Sequence, residues 1–318
     1  MKKRTTIGLL IAMTALILDS RCAADSARDA LSLCARTLIP SLFPLFVLGG
    51  MLVPGLAGLK IPGLSRLLGF PGGFFLLGCL GGYPLGAACI AQAVERGEVS
   101  ARDARRMTGL CSLCGPSFLF GVVGGIFSIR EAAALFVLQL EAALVTAAFW
   151  PGASADAASP SPMPVSLNDA LSRSVSSILS VCGWVTLAAV AAGFLRRWLF
   201  PFLPTEVSIL LTGLLELTNG IFAAQSMDYD AAFVLCALFC AFGGVSVLLQ
   251  ICGLMRGIPM TMCFAQKAAH GFLTTILAIL WLRIGIVSLF LVPAVLFVKL
   301  AVEIPQSMVY NVPRKEGI

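Results

Sequence analysis

Charge is what this sequence has least of. Asp, Glu, Lys and Arg together make up 12% of its 318 residues, about half the share of a soluble domain, and 58% are hydrophobic. Such a chain cannot cover a water-facing surface, so it reads as an all-α, multi-pass protein of the cell membrane, with the lipid bilayer as its first partner. It has one histidine, His270, too few for a two-histidine zinc motif. No second CxxC accompanies Cys111-Ser112-Leu113-Cys114, so neither a metal nor a cofactor is expected. The eleven cysteines follow no disulfide spacing and mostly lie in apolar runs, where they read as small packing residues. Walker, nucleophile-elbow, HExxH and dinucleotide fingerprints are missing, which disfavours an ATPase or a hydrolase and leaves no enzyme to expect. The net charge of +6 sits in short loops, where it sets topology; it does not point to nucleic acid.

What the chain does have is helix breakers at membrane depth. Gly78 to Gly86 reads Gly-Cys-Leu-Gly-Gly-Tyr-Pro-Leu-Gly inside an apolar run of membrane length. Glycine weakens a helix, and Pro84 removes an N–H and crowds the carbonyl four residues back. Hydrocarbon cannot satisfy the backbone freed by a break, so a break must face protein or a polar cavity. Three more occur: Cys114-Gly115-Pro116-Ser117, Leu217-Thr218-Asn219-Gly220 and Phe242-Gly243-Gly244-Val245-Ser246.

Taken in order, residues 1–26 read as an N-terminal transmembrane helix and 27–150 as a first repeat. Residues 151–168 are a Pro/Ser/Ala-rich linker, 169–282 a second repeat, and 283–318 a C-terminal helix and tail. Asn168-Asp169-Ala170-Leu171-Ser172 echoes Arg28-Asp29-Ala30-Leu31-Ser32, and the later breaks follow the earlier ones in the same order. Repeats with interrupted helices at corresponding positions are the pattern of secondary transporters. The stretch 27–53, with Pro40 and Pro44 near its middle, suits a re-entrant hairpin or a kinked span. With re-entrant hairpins at both 27–53 and 169–195, most Lys and Arg fall on the cytoplasmic side. The repeats are then inverted, with Arg102 and Arg196 inside and Asp228 outside, although Lys60 and Arg66 land on the wrong side. An ordinary bundle of eight to ten spans is the alternative.

Four stretches carry a resemblance: Ile39 to Val47 (Ile-Pro-Ser-Leu-Phe-Pro-Leu-Phe-Val), Gly81 to Ala87 (Gly-Gly-Tyr-Pro-Leu-Gly-Ala), Cys114 to Phe118 and Leu215 to Gly220. They resemble the YlbJ-like sporulation integral membrane proteins, a family annotated with the nucleoside-recognition, or Gate, domain. The resemblance covers nearly the whole chain. It implies the paired hairpins and discontinuous helices of a concentrative-nucleoside-transporter-like fold, and a role in spore formation.

The candidate substrate-binding set follows the breaks: Gly81, Gly82, Tyr83, Pro84, Ser112, Gly115, Pro116, Ser117, Glu216, Thr218, Asn219, Gly220, Gly243, Gly244 and Ser246. Half-helix ends and small polar side chains there suit a small polar solute, nucleoside-like by resemblance, coupled to H+ or Na+. Glu216 is the sharpest single candidate, because an intramembrane carboxylate costs about 2.5–3.5 kcal/mol on insertion scales. It reads either as a coupling group or as a hydrogen-bonding group for the broken backbone. Glu141, Gln92 and His270 are weaker candidates, the last two placed near loop ends. Two functions remain, a secondary transporter and a non-transporting assembly protein of the spore membrane; an oligomer is left open.

Overall fold

The computed structural model describes residues 3–150, 164–290 and 292–294. The body of the linker, 151–163, and the tail beyond 294 lie outside the described residues. No strand occurs among those described, and five helical runs are long and apolar enough to cross a membrane. Four of these are Ser20–Gly58, Ile129–Phe149, Leu167–Phe202 and Tyr229–Leu254, and the fifth starts at Thr261. The chain is an all-helical, multi-pass membrane protein.

Helix α1 (Lys3–Leu18) has 16 residues, short of the roughly 20 a span needs, and ends at Asp19. That residue caps the next helix by accepting a hydrogen bond from the N–H of Cys22. Helix α2 (Ser20–Leu33) runs through a π-helical turn (Cys34–Leu38) into α3 (Ile39–Gly58) without leaving helical backbone angles. The expected re-entrant hairpin at 27–53 is therefore corrected to one long helix. The wide π turn lies just ahead of Pro40, whose missing N–H would otherwise leave a gap in a regular ladder, and Pro44 is carried within the helix. The second expected hairpin, at 169–195, is corrected too. Helix α11 (Leu167–Trp198) is 32 residues without interruption; it contains no proline, so nothing in it stops a helix.

Reversals occur instead where glycines allow two backbones to touch. After α4 (Leu64–Leu68) come α5 (Gly72–Gly81) and α6 (Leu85–Glu95). A Cβ on Gly78 would lie 2.1 Å from the carbonyl oxygen of Cys111, and one on Gly86 2.0 Å from the same atom. A straight helix holds residues eight apart at about 12 Å, so α5 and α6 fold back as a hairpin with Gly82 to Pro84 at its tip. Helices α12 (Thr205–Leu215) and α13 (Leu217–Ala224) repeat the manoeuvre. There, a Cβ on Gly220 would lie 2.1 Å from the Cα of Gly213.

Each hairpin is followed by a discontinuous helix and a continuous one. In the first half these are α7 (Ala101–Leu110), a break over Cys111 to Gly115, the run α8 (Pro116–Phe118) to α9 (Gly124–Ile126), and α10 (Ile129–Phe149). In the second half they are α14 (Tyr229–Phe242), α15 (Gly244–Leu254) and α16 (Thr261–Ile284). The same order of four parts thus occurs twice: long helix, hairpin, discontinuous helix, continuous helix.

The two long helices pack antiparallel. Asp19 pairs with Arg197 (2.9 Å) and accepts from the Trp198 indole (3.2 Å), while Ser26 lies against Gly193. At the far end Arg173 pairs with Glu95, and Arg106 donates to the carbonyls of Leu68, Gly69 and Trp150. One end of the bundle therefore gathers Arg106, Arg173 and the loop that follows Glu95. The opposite end gathers Asp19, Arg197 and the Phe127–Tyr229 ring contact. Arg102 and Arg196 lie at opposite ends, because α11 is about 48 Å long and does not turn back. The expected topology, which put them together, is corrected on that point, and Lys60 and Arg66 now fall at the same end as Arg102.

Candidate functional site

Breaking a helix orphans the last carbonyls of one half and the first N–H groups of the other. In this chain the four breaks answer one another. Gly82 has φ +71, and a Cβ there would strike the backbone of Gly115, which in turn lies against Gly82. The Tyr83 N–H donates to Leu113 O at 2.7 Å. The tip of the first hairpin thus closes on the first discontinuous helix. In the second half Gly243 (φ +87) and Gly244 (φ +74) form the break, and Gly244 packs on the carbonyls of Gly213 and Leu215 in the second hairpin. Tyr83 joins the halves. Its ring lies beside Gly243, and its hydroxyl donates to Cys240 O at 3.5 Å.

Three side chains from the continuous helices complete the junction. Lys267 is fully buried in α16, and its Nζ donates to Ser112 O at 2.7 Å, close to the C-terminal end of α7. A cation there complements the negative pole of a helix. The same ammonium lies 5.6 Å from the centre of the Tyr83 ring. Gln139, fully buried in α10, clamps one residue of the break: its Nε2 donates to Cys114 O (2.7 Å) and its Oε1 accepts from Cys114 N–H (3.2 Å). His270 lies between two carbonyls, Nε2 2.8 Å from Gln139 O and Nδ1 3.1 Å from Ala241 O. A neutral imidazole has one N–H and donates to only one of them; the doubly protonated ring donates to both.

Of the expected set, Gly82, Tyr83, Gly115, Gly243 and Gly244 meet directly. Gly81 and Pro84 are buried on either side of the first tip, and Pro116 opens α8. Ser112 contributes its carbonyl, since its hydroxyl is held by Thr108 O at 2.6 Å. Ser246 is buried and accepts from Gln250 Nε2 (3.3 Å). Ser117 and Asn219 are exposed, and Gly220 lies between the hairpin arms.

Glu216 differs most from its sequence reading. It does not precede a break at 217–220; it is itself the break, with φ −146 and ψ 115. Its carboxylate caps α13, accepting from Thr218 N–H (3.1 Å) and Asn219 N–H (2.8 Å). Lys267 and Gln139 were not singled out in the sequence. For Lys267 the available signal was the uncharged residues on both sides of it at helical spacing, Cys263, Phe264, His270 and Gly271. His270 and Gln92, expected near loop ends, are buried, and Gln92 donates to Gly50 O at 3.0 Å. Glu141 is 4% exposed, and among the described residues neither of its carboxylate oxygens is hydrogen-bonded.

Over 286 residues the chain is 24% identical to the sporulation integral membrane protein YlbJ of Bacillus subtilis (strain 168), a match covering 73% of this chain and 70% of that protein. The chain is YlbJ-like. The resemblance to YlbJ-like proteins is thereby borne out, and the Gly-Gly-Tyr-Pro and Cys-Gly-Pro-Ser elements of this chain are the ones that build the junction of breaks. No family model matches the chain, and no solved structure matches it significantly.

Proposed function

We propose that this chain is a secondary transporter of a small polar solute, nucleoside-like in the first instance, coupled to protons or sodium and serving spore formation in the cell membrane. One observation carries the reading: four helix breaks meet at a single buried junction. Straight helices would span a membrane at less cost, and broken ones with satisfied ends suit a protein that must bind polar groups and change shape inside a bilayer. The architecture we infer is an inverted repeat of Gate-domain type, like that of concentrative nucleoside transporters. The repeated order of parts supports it, as do the antiparallel long helices and the hairpins inserted from opposite ends. His270, Glu141 and Glu216 are the groups available to carry a coupling proton.

A test that needs no knowledge of the solute uses Cys114, buried at the first break. In membrane vesicles of a chain keeping only this cysteine, alternating access predicts reaction with a membrane-impermeant thiol reagent. Complete protection of Cys114 from both faces would overturn transport. One observation favours the second reading, a non-transporting assembly protein: both oxygens of Glu216 are occupied by backbone N–H groups. Protected Cys114 with sporulation intact would establish that reading.

A further inference from the structure

A partly open cavity of about 220 Å³ is lined by α3, α6, α11, the end of α15 and the loop after it. It follows α6 from Leu85, next to the first hairpin tip, to Glu95 at the end of the bundle. None of the residues selected at the breaks lines it; Gln92 does, its Nε2 held by Gly50 O at 3.0 Å.

Its polar groups are unevenly satisfied. Ser174 donates to Ala170 O at 2.7 Å, as most of the buried helical hydroxyls here donate to the carbonyl four residues back. Ser176, exposed, and Ser177 and Ser180, half-buried, line the same wall, and among the described residues their hydroxyls make no hydrogen bond. Among the described residues, Arg173 is matched by Glu95, while Arg256 has no carboxylate partner; only its Nε is engaged, with Gly253 O at 3.3 Å. The wall therefore holds one uncompensated guanidinium at the mouth and a row of hydroxyls spanning about one helical turn of α11. A cation would meet excess positive charge. An oxyanion would be met by a fork of N–H donors and by hydroxyls able to turn their protons toward it.

We infer that this cavity binds the oxyanion group, carboxylate or phosphate, of a small solute, with Arg256 at the mouth and Ser177 and Ser180 within. In naming the chemistry of the solute the inference rests on the transport reading, though binding itself can be measured without transport. A phosphate could also come from a lipid headgroup, since α11 presents Val175 and Leu179 outward as exposed apolar surface.

The experiment follows the thermal midpoint of the full chain in two settings. In delipidated neutral detergent, inorganic phosphate is titrated against chloride at equal ionic strength. In nanodiscs, phosphatidylcholine alone is compared with phosphatidylcholine plus phosphatidylglycerol. Ligand that binds only the folded chain raises the midpoint saturably. Arg256→Gln should weaken the apparent affinity about tenfold, the loss of one charge-assisted hydrogen bond. The pair Ser177→Ala with Ser180→Ala should also weaken it, and Arg283→Gln, exposed and elsewhere, should not. A rise seen only with phosphatidylglycerol, with the same dependence on Arg256, identifies the oxyanion as a headgroup and upholds the site. No saturable rise in either setting, or one indifferent to Arg256 and the serines, overturns it. An Arg256-dependent rise together with a protected Cys114 would leave the site standing and remove the transport reading.

Discussion

Gly220→Ala tests the second hairpin with a single methyl group. The new Cβ would lie 2.1 Å from Gly213 Cα, 2.6 Å from Gly213 N and 3.0 Å from the Phe239 ring. The first two neighbours are backbone and cannot swing aside. Ordinary contact begins near 3.4 Å, so the arms must part by more than about 1 Å, and the packing between them is lost along with the hydrogen bonds at the tip. Overpacking of this kind costs about 1–3 kcal/mol, more where backbone must move. Gly183→Ala is the control: nothing lies within 4 Å of its Cβ in the middle of α11, and alanine favours a helix by up to about 1 kcal/mol. The assay is the thermal midpoint of the detergent-solubilised chain, followed by helical circular dichroism. Gly220→Ala should melt several degrees below the parent while Gly183→Ala equals or exceeds it. If the two variants melt together, α12 and α13 do not form a closed hairpin.

Lys267→Met should hold or raise the midpoint, because the buried ammonium has no carboxylate partner among the described residues, yet abolish Cys114 accessibility. A lower midpoint with accessibility kept would mark Lys267 as a structural peg. Glu216→Ala should cost about 0.5–2 kcal/mol as a lost helix cap, measured by the same melt, whereas Glu216→Asp keeps an acceptor. Glu216→Gln separates capping from coupling: wild-type sporulation or flux in that variant would leave the carboxylate a cap alone. A cysteine-accessibility map should find Arg102 and Arg256 on one face of the membrane and Arg196 and Asp228 on the other; Arg102 and Arg196 on the same face would refute an unbroken α11.

The breaks were legible because glycine and proline act locally. Gly81-Gly82-Tyr83-Pro84 cannot continue a helix in any setting, and the positive φ of Gly82 and Gly243 is a conformation that other residues rarely adopt. Whether a break kinks a chain or reverses it was not legible. Reversal depends on close approach between residues seven or eight apart, as at Gly213 and Gly220, and a glycine in the sequence does not announce it: Gly55, Gly121 and Gly183 have open space around them, while Gly193 and Gly253 pack against side chains of other helices. Prolines misled in the opposite direction: Pro40 and Pro44 suggested a hairpin tip, but a π turn and the surrounding helix absorb them. Charge counting then inherited the error, since a hairpin placed on 169–195 moves Arg196 across the bilayer.

The residues that hold the junction were hidden for a related reason. Gln139 and His270 lie on unbroken helices, and each satisfies a carbonyl freed by a break in a different helix, 25 to 29 positions away. Lys267 reaches back 155 positions to Ser112. A break creates an unmet backbone group, and some side chain must meet it, but sequence alone does not say which. What the sequence does offer is a short inventory: in a chain this apolar, few polar side chains lie within helices long enough to cross a bilayer. Some answer a freed carbonyl, as Gln139, Lys267 and His270 do, some bond within their own helix, as Gln250 and Thr274 do, and among the described residues Glu141 and Gln266 stand unanswered. The answered ones locate the junction. On the proposed transport reading, the unanswered ones are the groups to which a coupling proton or ion would go.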